Sequence, residues 1–170
     1  MLCASRPRLL LFVCLTCMLF SSMTRGPEVS AYPSVESKAV LDDIDSHGVG
    51  YVVQKLSAGN GNQWRTVIRA IETGSPAWLD VAKRLLTATD AGRTTDLYFA
   101  LSLALTRNAD GVLSMVGPGL PIDNVCSVPY IEPDEKTIVA HRTKVHSALQ
   151  KVTSAGLEPK KKACLKIVDQ

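Results

Sequence analysis

Residues 62–86, NQWRTVIRAIETGSPAWLDVAKRLL, decide the fold. Trp64, Val67, Ile68 and Ile71 recur at i, i+3, i+4 and i+7, the spacing that lines one face of an α-helix. Arg65, Thr66, Arg69 and Glu72 form the polar face. Asn62 is placed to cap the start, and Gly74 suits the left-handed residue that ends a helix. Ser75 and Pro76 then begin a second helix at once: serine accepts a backbone N–H at the cap, and proline lacks the N–H that would go unused at the first helical position. There Trp78, Leu79, Ala82, Leu85 and Leu86 make the apolar stripe, with Asp80, Lys83 and Arg84 toward water. Only Gly74 and Ser75 separate the two helices, so they are expected to pack as a hairpin with both tryptophans in the core.

Working outward, the 170 residues are enough for one globular domain. Arg6 and Arg8 precede an apolar run from Leu9 to Phe20, and small residues follow, ending Val29-Ser30-Ala31. This reads as a secretory signal over 1–31, too short for a permanent membrane anchor, and the sequence around Cys17 makes a poor lipid-attachment site. Its removal leaves sixteen basic and fifteen acidic residues, without the basic excess that nucleic-acid binding requires. The one basic run, Lys160 to Lys162, is expected to be a solvated part of a C-terminal tail, residues 157–170. After cleavage only Cys126 and Cys164 remain, and an even number in an exported chain predicts a disulfide, which would tie down the tail 157–170. Closing a loop of that length stabilises a fold by roughly 4 kcal/mol in the chain-entropy model.

The rest of the domain, 32–156, reads as further helices. Ser34 is a candidate cap for a helix containing Val40, Leu41 and Ile44 and ending near Gly48, and a short stretch from Gly50 to Leu56 follows. Beyond the hairpin, TATDAGRTTD reads as a loop with Thr94, Thr95 or Asp96 capping LYFALSLALTR, a helix apolar on nearly every side and so expected in the middle of the bundle. Asn108 caps a short helix to Val116. Pro118, Pro121, Pro129 and Pro133 then mark a long loop, and the longest helix begins between Glu132 and Asp134 and runs to about Ser154 along a seam of Ile138, Arg142, Val145, Leu149 and Val152. The expected fold is all-α: a compact bundle of antiparallel helix pairs, HEAT-like in one form, with a proline-rich loop before the last long helix.

The residues W64..VIRAI..G74S.AWL..AKRL, and later VCSVPYIEP followed by HSALQKV, resemble a group of uncharacterised small exported proteobacterial proteins. The resemblance implies an envelope location and a helical fold. No activity or functional residue comes with it.

The chemical candidates are weak one by one. His47, His141 and His146 are the only histidines, and a spacing of five turns His141 and His146 about 140° apart on a helix, so they do not share a metal and are expected on solvated helix surfaces. A Cys126, His141, Asp134 nucleophile set requires a free thiol, which the disulfide opposes. Asp42 and Asp43, or Glu132 and Asp134, are acid pairs of the kind a cell-wall hydrolase uses, but acids near helix starts ordinarily serve as caps. Gly59-Asn60-Gly61 lacks the lysine and preceding strand of a phosphate loop.

No cofactor or metal is therefore expected. The leading expectation is a non-catalytic periplasmic or secreted module that binds a protein partner in the bacterial envelope, of inhibitor or immunity type in one form, through Tyr130, Ile131 and Glu132 of the proline-rich loop. The alternatives are a small-ligand binder or hydrolase with a pocket beside that loop, and a purely structural homo-oligomer.

Overall fold

The computed structural model of the chain describes residues 35–170. The expected signal segment and the Ser34 cap lie outside the described residues. Within them run nine α-helices and one 3-10 turn, with no strand: α1 Ser37–His47, α2 Val49–Ser57, α3 Asn62–Ile71, α4 Pro76–Leu85, α5 Ala91–Leu105, α6 Ala109–Met115, α7 Ile122–Cys126, α8 Glu135–Gln150, the 3-10 turn Ala155–Leu157, and α9 Glu158–Val168. No described helix is long and apolar enough to cross a membrane.

The hairpin forms where the 3.6-residue period places it. Trp64, Val67 and Ile71 of α3 are buried against Leu79, Val81, Ala82 and Leu85 of the core, and the two helices touch. Gly74 turns the chain at φ 70°, and a Cβ there would meet Asn108 Cβ at 3.0 Å and the Ala104 carbonyl oxygen at 3.2 Å, so both conformation and space call for glycine. Pro76 sits in the first turn of α4 as expected. Three details differ. The Ser75 side chain makes no capping bond, the residue preceding α3 is the left-handed Gly61 rather than Asn62, and Trp78 is only half-buried. Trp64 alone is the core tryptophan, at 1% exposure.

α5 holds the bundle together, packing on α3, α6 and α7, and Leu97, Ala100, Leu101, Ser102, Ala104 and Leu105 are all buried. It begins earlier than the threonines imply. Asp90 caps it by accepting from the Arg93 amide at 2.9 Å, and Thr95 tolerates the helix because its hydroxyl donates back to the Ala91 carbonyl at 3.0 Å. Asn108 caps α6 as expected, accepting from the Gly111 amide and donating to the Gly74 carbonyl, which ties α6 to the hairpin corner.

The proline-rich loop is partly helical. Gly117 and Leu120 exchange two backbone hydrogen bonds across a tight turn, and α7 follows with Val125 and Cys126 buried. Cys126 is disulfide-bonded to Cys164, with 5.4 Å between their Cα atoms. The C-terminal segment is a further helix rather than a tail: α9 packs on α7 and α8, and the bond joins α7 to α9. Its lysine run is not simply solvated. Lys160 Nζ donates to the Leu113 and Val116 carbonyls at the end of α6, and Lys161 Nζ to the Val152 carbonyl beyond α8, serving acceptors that helix ends leave unpaired. Lys162 alone stays on the surface, beside Glu158.

Candidate functional site

The segment 129–134 is fixed at both ends. Pro129 is buried, and Asp134 caps α8 by accepting from the Thr137 amide at 2.7 Å, bonding that also holds its carboxyl below the usual range. Between these anchors Tyr130 is 41% exposed and Ile131 83%. Glu132 takes a left-handed backbone, φ 48°, the only non-glycine residue described with positive φ. The remaining large exposed apolar residues described are Tyr51 and Val139. Tyr51 is partly covered by stacking on His47, with ring centroids 5.0 Å apart.

Behind Tyr130 lies the residue that the sequence reading misplaced. His141 is buried, 4% exposed, not solvated. Its ring meets Tyr130 edge-on with centroids 6.0 Å apart, and its Nε2 lies 3.3 Å from Ser102 Oγ. Ser102 Oγ spends its proton on the Ser127 carbonyl at 2.8 Å. The hydroxyl must therefore accept from the imidazole, which assigns the proton to Nε2 and leaves Nδ1 bare. Nδ1 has no hydrogen-bond partner among the described residues and is not among the fully enclosed unpaired atoms, so it keeps contact with solvent. Burial, and secondarily the Lys144 cation one turn along, push the His141 pKa down, so the ring is neutral near pH 7.

The seam of α8 shifts accordingly. His141, Val145, Ala148 and Leu149 are buried, whereas Ile138 and Arg142 of the expected seam are only partly so. The spacing i, i+4, i+7, i+8 from His141 was the available signal. Its partner Ser102 lies 39 residues away, beyond any local pattern.

Over this network opens a cleft of about 320 Å³ lined by Glu72, Arg107, Tyr130, Thr137, His141 and Lys144, together with Thr106 and apolar neighbours. Arg107 Nη1 donates to the Glu72 carbonyl at 2.7 Å. The side chains bring two cations and one anion, while α3 and α5 both end here and add the partial negative charge of their carbonyl ends. The field selects neither anion nor cation.

The catalytic candidates do not assemble. Ser102 and His141 resemble a nucleophile and base only by type: the serine is fully buried and its proton is committed to Ser127. Cys126 is oxidised, His141 pairs with Ser102, and Asp134 with Thr137, so the Cys126, His141, Asp134 set shares no contact. Asp42 bonds Lys38 at 2.6 Å. Asp43 bonds Lys55 at 2.7 Å and His47 at 3.0 Å, and the Lys55 bond foremost lowers its carboxyl pKa. No three metal-ligating side chains meet among the described residues. No protein-family model, no curated protein and no solved structure matches the chain.

Proposed function

We propose that this chain is an exported, non-catalytic helical module of the bacterial envelope that binds a protein partner through Tyr130, Ile131 and Glu132. The observation that carries the reading is Ile131, 83% exposed on a segment anchored on both sides. A loose loop tucks such a side chain inward at little loss. Here buried Pro129, the Asp134 cap and the Cys126–Cys164 bond hold the backbone, and the isoleucine stays outside. The left-handed backbone at Glu132 adds local strain at the same place, and strain kept by a rigid surround is characteristic of binding segments. The disulfide and the apolar run of residues 9–20 support export. An inhibitor or immunity-type role is the form this reading favours, because a rigid helical scaffold presents a short loop with little entropy to lose on binding.

The test is affinity capture of the tagged protein from envelope extract, in parallel with the double variant Tyr130→Ala, Glu132→Ala. A protein recovered with the parent and lost with the equally folded variant supports the reading. Identical recoveries from both, or no specific protein from either, reject it.

A further inference from the structure

Resting on that contact segment, we propose that His141 and Ser102 position it, and that proton uptake by the His141 imidazole releases it, so that the surface is held in place at neutral pH and loosened in acid. Three links run from the core to the segment. Ser102 Oγ, fully buried on α5, donates to the Ser127 carbonyl at 2.8 Å and so fixes the backbone two residues before Pro129. His141 Nε2 donates to Ser102 Oγ at 3.3 Å and holds the hydroxyl in the orientation that makes the first bond. The His141 ring then supplies the surface on which Tyr130 rests, edge to face, 6.0 Å between centroids.

Protonation attacks this arrangement from Nδ1. The proton arrives on the nitrogen that has no protein acceptor, and it places a cation in a site only 4% exposed. The charged and titratable groups lining the cleft with the imidazole are Glu72 from the end of α3, Arg107 beyond α5, Tyr130 of the loop and Lys144 of α8. Lys144 opposes the new charge, Arg107 adds a second cation, and Glu72 is the one carboxylate among them. Solvent reaches the edge of the ring at Nδ1 but little of the rest, so moving Tyr130 aside hydrates the imidazolium more fully, and this is the motion that frees the segment. His141 is the only buried titratable side chain among the described residues. The Asp134 carboxyl acts at lower pH, since it is held below its ordinary value.

The experiment is NMR on the isotopically labelled, oxidised protein from pH 7.5 to 5. It follows the His141 ring nitrogens, the Tyr130 to His141 ring cross-relaxation and the mobility of the Ile131 methyl groups. Loss of the ring contact and a rise in Ile131 mobility are expected with the midpoint of His141 protonation. Linkage makes the held-to-released ratio change about tenfold for each pH unit between the midpoints of the held and released rings. In His141→Phe, which keeps a ring but cannot titrate, Ile131 mobility is expected to be constant over the same range. In Ser102→Ala the Tyr130 contact is expected to loosen already at pH 7.5. A segment that stays in place while His141 takes up its proton, one that loosens equally in His141→Phe, or a Tyr130 contact unchanged in Ser102→Ala overturns the proposal. No partner is present in these measurements, so their failure and the failure of the binding reading are distinguishable.

Discussion

Trp64 and His141 each bury a ring beside α5, and each satisfies its polar edge with a side chain of that helix. The indole Nε1 donates to Asp96 Oδ2 at 2.8 Å, and the Arg93 guanidinium lies 5.0 Å from the ring centroid. The imidazole uses Ser102, and the hydroxyl in turn serves the Ser127 carbonyl. Indole is only a donor and does not titrate, so the Trp64 ring itself keeps one protonation state at any ordinary pH. Imidazole has a second nitrogen, and its burial lasts only while that nitrogen is bare. The same device, a polar ring closed against α5, thus builds a joint whose ring does not titrate near one end of the helix and one whose ring does toward the other.

Trp64→Ala is expected to have the largest effect. It removes the main aromatic of the hairpin core and leaves Asp96 without its donor, and a loss of about 3–5 kcal/mol in urea unfolding is expected. Replacing Cys126 and Cys164 by serine acts where α7 is joined to α9. The 38-residue loop closure is then lost, lowering stability by about 2–5 kcal/mol, with the larger mobility confined to 117–134 and α9.

Smaller, and more telling, is the pH profile of stability. Because the His141 pKa is lowered in the fold, the unfolded chain takes up the proton first. Its stabilising contribution is full above about pH 6.5 and is lost as pH falls below that. Asp43 and Asp134, also lowered, lose their contributions in the same direction but only below about pH 4. Thermal midpoints from pH 8 to 5 are expected to decline more steeply in the parent than in His141→Phe, the difference between the two profiles being the His141 contribution. The smallest effect sharpens the view of the segment itself: Glu132→Gly relieves the left-handed backbone and is expected to raise stability by up to about 1 kcal/mol. A loss of stability there would mean that the Glu132 side chain supports the fold.

Much of the fold was legible because its signals are local. The α3 stripe, Pro76 at the start of α4, the Asn108 and Asp134 caps and the two cysteines each act within one turn or by simple pairing. The start of α5 was not, since Asp90, Gly92, Thr94 and Thr95 read as a loop until the threonine hydroxyls find partners in the preceding residues. The five residues of α7 are too few to show a period. Lys160 and Lys161 resemble a solvated run because the carbonyls they serve belong to α6 and to the end of α8. At the candidate site, Tyr130, Ile131 and Glu132 stood out by composition. His141 did not, because a histidine opposite a serine 39 residues away leaves no mark in either local pattern.

The central claim, that the segment 130–132 is the surface that meets a partner, is tested most directly by photo-cross-linking in living cells. A cross-linking residue replaces Ile131 in one strain and Tyr51, another exposed apolar position, in a second. A discrete protein adduct at 131 and none at 51 is the expected result. The same adducts at both positions, or none at 131 with the protein folded and exported, would contradict it.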